Sequence, residues 1–197
     1  MMLSYGKIFV ASLLLLQFAA CNVYSEDLLP VKIQAALLFK TIGYIKDPAQ
    51  VSSDGKILIG IIFDDNMASK SYAKSIMDAV LLAKAANYKV CNSELEPVLM
   101  EYKNEETLLG NFNIKKIRVL YVITQNEQYV GGIIKCTQQA KVLSVTGLKP
   151  GESVKKGISI VFAMVDGKPA VFANDKSIQN EGKEFTKDFY SLVKAVK

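Results

Sequence analysis

The sequence contains no histidine and no tryptophan, and Arg118 is its single arginine. Without histidine, the chain cannot form a Ser-His-Asp triad, a Cys-His dyad or a zinc or iron site with histidine ligands. A nucleophile elbow and a glycine-rich phosphate loop are also missing from the sequence. The sequence therefore predicts a protein that is not an enzyme and that has no cofactor or metal site.

Proline is scarce, at five residues, and half of the 197 residues are hydrophobic. This composition excludes a disordered or fibrous protein and supplies enough apolar surface for the core of one globular domain. The formal charge of +5 comes from lysines that are spread along the chain. Because they form no basic cluster, the sequence predicts no nucleic-acid binding.

The first 20 residues have the pattern of a secretory signal. One charged residue, Lys7, precedes an apolar run from Ile8 to Phe18, and the small residues Ala19 and Ala20 follow. The run is shorter than the roughly 20 apolar residues that a membrane-spanning helix needs. We therefore expect an exported, periplasmic protein without a transmembrane helix.

Two cleavage sites remain open after this signal. Phe18 to Cys21 resembles a bacterial lipobox, in which cleavage precedes the cysteine and the thiol carries lipid, so Cys21 is a candidate lipidation site. Val23-Tyr24-Ser25 supplies the pattern of an ordinary signal peptidase site, with cleavage after Ser25. The first alternative gives a lipid-anchored protein and the second gives a soluble one.

From residue 28 onward, helical and strand patterns alternate. Apolar residues at three-and-four spacing predict a helix over 28–45, and continuous aliphatic runs predict strands that are buried on both faces. In chain order, strands over 56–63, 98–102, 117–123 and 141–145 are separated by helices over 68–88, 105–109 and 127–139. The sequence Asp166-Gly167 is typical of a hairpin turn, here between strands over 158–165 and 170–173.

The chain ends on a predicted helix over 181–196, with Phe185, Phe189, Leu192, Val193 and Val196 on one apolar stripe. Residues 28–197 are therefore predicted to form a single three-layer α/β/α, Rossmann-like domain. Its sheet is expected to be mostly parallel and to be finished by the antiparallel hairpin. The N- and C-terminal helices are expected to pack on this sheet.

Candidate ligand-binding residues follow three of the predicted strands. Asp64 and Asp65 come directly after the first strand, Thr124 follows the strand over 117–123, and Gly147 follows the strand over 141–145. Ligands of doubly wound sheets bind beyond the carboxyl ends of the strands, so these residues predict a pocket there. N-capping of the next helix is the alternative role for Asp64 and Asp65.

If Cys21 is lipidated or removed with the signal, Cys91 and Cys136 are the two cysteines left with a thiol. In an oxidising compartment they form either a disulfide or two buried thiols. The helix before Cys91 and the helix that contains Cys136 are expected on opposite faces of the sheet, which favours two buried thiols over a disulfide.

Several segments carry a resemblance to a known family, in the family's order. They are the opening helix from Val31 to Lys40, the first strand from Ile57 to Asp64, the central strand from Val119 to Ile123, and the hairpin from Gly157 to Asn174. Together these segments resemble the YfiR-like family of periplasmic proteins, from Leu28 to the C-terminus.

This resemblance implies an α/β protein that regulates a partner and does not catalyse a reaction. The implied partner is a membrane protein with a periplasmic sensor region, such as a diguanylate cyclase of c-di-GMP signalling or a histidine kinase, and a homodimer is left open. The family's redox response is not expected here, because Ile117-Arg118 replaces its Cys-His before the central strand. The alternative function is a periplasmic small-molecule-binding module without a signalling partner.

Overall fold

The computed structural model describes residues 28–124, 126–148, 153 and 155–195. The expected signal peptide, the lipidation site Cys21 and the cleavage site after Ser25 lie outside these residues. The strands are β1 Lys56–Phe63, β2 Lys89–Val90, β3 Ser93–Glu101, β4 Val119–Ile123, β5 Leu143–Thr146, β6 Ile160–Val165, β7 Lys168–Ala173 and β8 Lys194–Ala195. The helices are α1 Val31–Gly43, α2 Met67–Ala85, α3 Glu105–Lys115, α4 Glu127–Ala140, α5 Asp175–Asn180 and α6 Lys187–Leu192, with a 3₁₀ turn at Pro48–Gln50.

The strands form one sheet in the order β2-β3-β1-β4-β5-β6-β7-β8. Five neighbouring strands, β3, β1, β4, β5 and β6, run parallel to one another. β7 returns antiparallel to β6, as the hairpin turn predicts, and β2 is antiparallel to β3 on the other edge. The prediction of a mostly parallel α/β sheet with an antiparallel hairpin after its parallel strands is confirmed, and β8 adds a short edge strand beyond that hairpin.

Two apolar cores cover the two faces of the sheet. β1 is buried almost throughout, as its continuous aliphatic sequence predicts, and its side chains alternate between the cores. Ile59 and Ile61 pack with residues of α1 and α2, including Leu38 and Ile76. Ile62 belongs to the opposite core, which contains Phe112 and other residues of α3 and α4.

The C-terminal segment differs from its prediction. In place of one helix over 181–196, the chain forms α5, an irregular segment, α6 and the two-residue strand β8, which runs parallel to β7. Gly182, with φ at +66°, interrupts the helical path. Phe185 pairs with Ile45 in an isolated β-bridge, so its backbone is extended. Phe185 and Phe189 are buried as expected, but Leu192 is 55% exposed, so the single stripe is wrong. Val196, the last residue of the predicted stripe, lies outside the described residues.

The described helices include none whose length and apolar character would allow it to cross a membrane.

Candidate functional site

The order of the parallel strands creates a switch point between β1 and β4. The chain adds β3 on one side of β1 and then β4, β5 and β6 on the other, so the connections that leave β1 and β4 diverge at the carboxyl edge. Ligands of open α/β sheets bind in the crevice outside such a point. Asp64 and Thr124 directly follow these two strands, whose last residues, Phe63 and Ile123, lie side by side.

Asp64 and Thr124 are in direct contact at this point. The hydroxyl of Thr124 donates a hydrogen bond of 2.6 Å to Oδ2 of Asp64, and both residues are buried. The second carboxylate oxygen of Asp64 accepts a bond of 3.2 Å from the backbone N–H of Asn66. Both oxygens of Asp64 are therefore occupied, and this residue fixes the two loops relative to each other.

Helices α2 and α4 both begin beside this pair. Asn66 caps α2, with its side chain accepting a bond of 2.8 Å from the N–H of Ala68, and Asn126 caps α4 through the N–H of Gln128 at 3.1 Å. The N-capping role considered for the preceding acidic residues is thus taken by Asn66. Two helix N-termini at one point create a positive local potential, and the buried carboxylate of Asp64 lies within it.

Asp65 has a different environment from Asp64. It is exposed, and it makes no hydrogen bond or ion pair with another part of the described chain. The switch point therefore presents an exposed carboxylate one residue before the N-cap of α2.

Gly147 lies against a buried polar network that the sequence analysis missed. The side-chain amide of Gln34 donates to the backbone carbonyl of Leu29 at 2.5 Å and to the hydroxyl of Tyr72, and its oxygen accepts from the hydroxyl of Tyr121. A Cβ atom at Gly147 would lie 2.7 Å from that Tyr121 hydroxyl and still closer to Gln34. Burial raises the pKa of Tyr121 well above its usual range, so its hydroxyl stays protonated.

Gln34 gives a sequence signal that could have placed it in the core. It falls on the buried stripe of α1, three residues after Val31 and four before Leu38. A polar residue at such a position needs hydrogen-bond partners inside the protein.

Cys91 and Cys136 are free thiols in the structure. Cys91 packs against the core on the α1 and α2 face, and Cys136 belongs to the core on the α3 and α4 face. Burial raises the pKa of the Cys91 thiol. Burial and the nearby Glu105 carboxylate raise the pKa of Cys136 to about 11. Neither thiol is therefore an activated nucleophile at neutral pH.

Comparisons with known proteins identify the fold but no family. No protein-family model matches the sequence, and no curated protein matches it either. Among solved structures, a conserved domain protein from Vibrio cholerae O1 biovar eltor str. N16961 has a TM-score of 0.58 and 14% identity, over 85% of this chain and 60% of that one.

An ABC domain from Streptococcus pneumonia, solved in complex with L-Trp, has a TM-score of 0.56 and 12% identity, over 85% of this chain and 62% of that one. The chain thus spans about 60% of the length of these two structures. At this level of identity, the likeness shows a shared α/β fold.

Proposed function

We propose that the protein is a binding module without chemistry of its own, and that its ligand binds at the switch point between β1 and β4. The observation that carries the proposal is the exposed carboxylate of Asp65, one residue before the N-cap of α2 and one residue after Asp64, which contacts the loop before α4 through Thr124. In this proposal Asp65 is the negative recognition element, and backbone N–H groups at the helix N-termini are the positive one.

The ligand class that fits both elements is a small molecule with an amine and a carboxylate, such as an amino acid. Asp65 would pair with the ammonium group, and the helix N-termini would accept the carboxylate. The Streptococcus pneumonia structure, which shares the fold and was solved with L-Trp, supports this class of ligand.

The place of action in this proposal is the periplasm. The signal-like N-terminus and the resemblance to the YfiR-like family support export, and the resemblance adds a regulatory role towards a membrane protein with a periplasmic sensor region. In that role, ligand occupancy would be the signal that the partner reads. Recovery of such a protein with the tagged chain from solubilised membranes tests this part of the proposal.

The ligand is tested by titrating the protein with L-tryptophan and following the fluorescence of the free amino acid. The chain contains nine tyrosines but no tryptophan, so emission excited at a wavelength that tyrosine does not absorb belongs to the ligand alone. The other amino acids are compared through their effect on the melting temperature, since a ligand that binds the folded state raises it. We expect saturable binding by at least one amino acid.

Asp65→Asn should weaken this binding by about tenfold or more, because it removes the charge that faces the ammonium group. Asp166→Asn is the matched control, because Asp166 is also an exposed aspartate but lies in the β6–β7 turn. The proposed site would be contradicted if none of the tested amino acids bound, or if Asp65→Asn and Asp166→Asn bound the ligand with equal affinity.

A further inference from the structure

A cavity of about 170 Å³ lies where α1, β7 and α6 meet. Apolar side chains from all three elements line it, among them Leu37, Val171 and Leu192. The rings of Tyr44 and Phe189 line it as well, with centroids 6.1 Å apart and planes inclined by 49°. An apolar cavity on the order of 150 Å³ holds one benzene ring, so this volume admits a ligand of about one ring with a small substituent.

The cavity contains a polar side chain whose hydrogen bonding is incomplete. Thr41 lines the cavity and is 3% exposed, and its hydroxyl makes no hydrogen bond with another described residue. An unpaired hydroxyl at such a position lowers stability, because it has lost the hydrogen bonds that water provides. A ligand with a hydrogen-bond acceptor would supply the missing partner.

One side of the cavity is an open edge of β7. The N–H of Asn174 donates to the carbonyl of Ser159, directly before β6, at 2.9 Å. Because successive residues of a strand face opposite neighbours, the N–H of Val171 is turned away from β6. Within the described residues, β8 pairs with Phe172 and Ala173 and leaves this part of the edge without a strand. The N–H of Val171 is therefore a second donor beside the cavity.

The charged side chain that lines the cavity is positive. Lys40 is exposed and forms no ion pair in the part of the chain that the structure describes, and none of the described lining residues is acidic. At the C-terminus of α1, the carbonyl of Thr41 accepts a bond of 3.1 Å from the N–H of Tyr44. The carbonyl of Ile42 accepts a bond of the same length from Ile45. Since these carbonyls are hydrogen-bonded to the backbone, the charge of Lys40 decides that the cavity favours an anionic group.

Helical spacing brings the polar and apolar groups of α1 to one side. Four residues of α1 and its C-cap line the cavity at the spacing i, i+3, i+4 and i+7: Leu37, Lys40, Thr41 and Tyr44. Residues at this spacing share one face of a helix. The ammonium group and the unpaired hydroxyl therefore stand on the same face as the aromatic ring of the cavity wall.

We propose that this cavity binds a small aromatic carboxylate. Its ring would pack against Tyr44 and Phe189, and its carboxylate would accept from the hydroxyl of Thr41 and pair with Lys40. A cavity that holds one ring has no room for a helix or a strand of a partner protein. The lining residues do not include Asp64, Asp65 or Thr124, so this site is separate from the switch point and does not rest on the function proposed there.

The probe is para-fluorobenzoate, and its binding to the full chain is followed by fluorine NMR. The twin probe is para-fluorobenzylamine, which has the same ring and the opposite charge. The affinity for the carboxylate should exceed that for the amine by about tenfold or more, and added salt should reduce this preference.

Two lysines of the same helix provide matched variants. Lys40→Met keeps an apolar stem and removes the charge, whereas Lys32→Met makes the same substitution at an exposed lysine that does not line the cavity. Lys40→Met should weaken binding of para-fluorobenzoate by about tenfold, and Lys32→Met should leave it within about twofold.

Thr41→Val removes the hydroxyl and keeps the shape of the side chain. Binding of para-fluorobenzoate should weaken by about fivefold or more, because one donor to the carboxylate is lost. The urea concentration at the midpoint of unfolding should stay unchanged or rise, because the hydroxyl has no hydrogen bond to lose within the described chain.

Several results would overturn the proposal. They are equal affinities for the two probes, tighter binding of the amine, absence of binding by both, or equal effects of Lys40→Met and Lys32→Met. A Thr41→Val protein that is less stable and binds para-fluorobenzoate as before would assign the hydroxyl to the interior of the protein and not to a ligand site.

Discussion

The carboxylate of Glu181 accepts a hydrogen bond of 2.5 Å from the hydroxyl of Ser159 inside the protein. The same carboxylate accepts from the backbone N–H of Ser144 at 2.9 Å and from the hydroxyl of Thr137 at 2.7 Å. Burial raises the pKa of Glu181, and these hydrogen bonds oppose that effect. One side chain that follows α5 thus connects α4, β5 and the segment before β6.

Glu181→Ala should lower the free energy of unfolding by about 3–5 kcal/mol, because it leaves buried donors without an acceptor. Urea denaturation followed by circular dichroism measures this change. Glu184→Ala is the control, since Glu184 forms only an exposed pair with Lys46, for which a loss below about 1 kcal/mol is expected. Similar losses for the two variants would show that the network around Glu181 contributes little.

Lys183 should make stability depend on pH. The side chain is 4% exposed, and burial lowers its pKa to about 8. In the unfolded chain a lysine titrates near about 10.4. As the pH rises, Lys183 therefore loses its proton in the folded state before it does so in the unfolded state. This difference stabilises the folded state, fully above about pH 10.4, and the stabilisation is lost as the pH falls through 8.

The check is a comparison of the wild-type protein with Lys183→Met, which lacks the titrating group. Between pH 7 and 10, the wild-type protein should gain unfolding free energy relative to the variant, by an amount on the order of 3 kcal/mol across the full titration. Denaturation curves whose difference stays constant over this range would contradict the shifted pKa.

The central part of the sheet could be predicted from the sequence because its strands are buried on both faces. The run from Lys56 to Phe63 has no polar alternation, and β1 has these bounds in the structure. β2 and β8 contain two residues each and carry no periodic signal. They depend on contacts made by the folded chain.

The C-terminal region shows why helical spacing alone was insufficient. Phe185 and Phe189 are four residues apart, as on one face of a helix, and both are buried with stacked rings 4.1 Å apart. The buried Glu181 and the positive φ of Gly182 nevertheless break the helix before them.

At the candidate site, Asp64 and Thr124 were predictable because parallel strands end at one edge of the sheet. The burial of Gln34 was predictable from its place on the apolar stripe of α1, but its partners Tyr72 and Tyr121 come from distant elements that helical spacing does not reveal.

Phe189→Ala should cost about 3–5 kcal/mol, since Phe189 is 2% exposed and its replacement leaves a cavity. Leu192→Ala is the comparison within the same helix, and its loss should stay near about 1 kcal/mol because Leu192 is half exposed. Denaturation midpoints measure both changes. If Phe189→Ala unfolds at an unchanged urea concentration, α6 is peripheral to the core.

Cys91 and Cys136 should remain reduced without reductant, because they pack in cores on opposite faces of the sheet. A thiol count on the denatured protein should be the same with and without prior reduction. In the native protein, Cys91 should react with a thiol reagent before the fully buried Cys136. A quantitative bond between the two cysteines, whose reduction released a bound partner, would restore the redox control that the resembled family uses.

Gly147→Ala should destabilise the protein through a specific clash with Gln34. The added methyl group would lie 2.7 Å from the Tyr121 hydroxyl and closer still to the Gln34 side chain, so the network must shift. Overpacking of this kind costs about 1–3 kcal/mol.

Gln34→Ala alone is also destabilising, because it removes the partner of the buried Tyr121 hydroxyl. If the clash is the cause, the loss in the double variant is smaller than the sum of the two single losses, by about 1 kcal/mol or more. Strictly additive losses in urea denaturation would instead attribute the effect of Gly147→Ala to its backbone and not to Gln34.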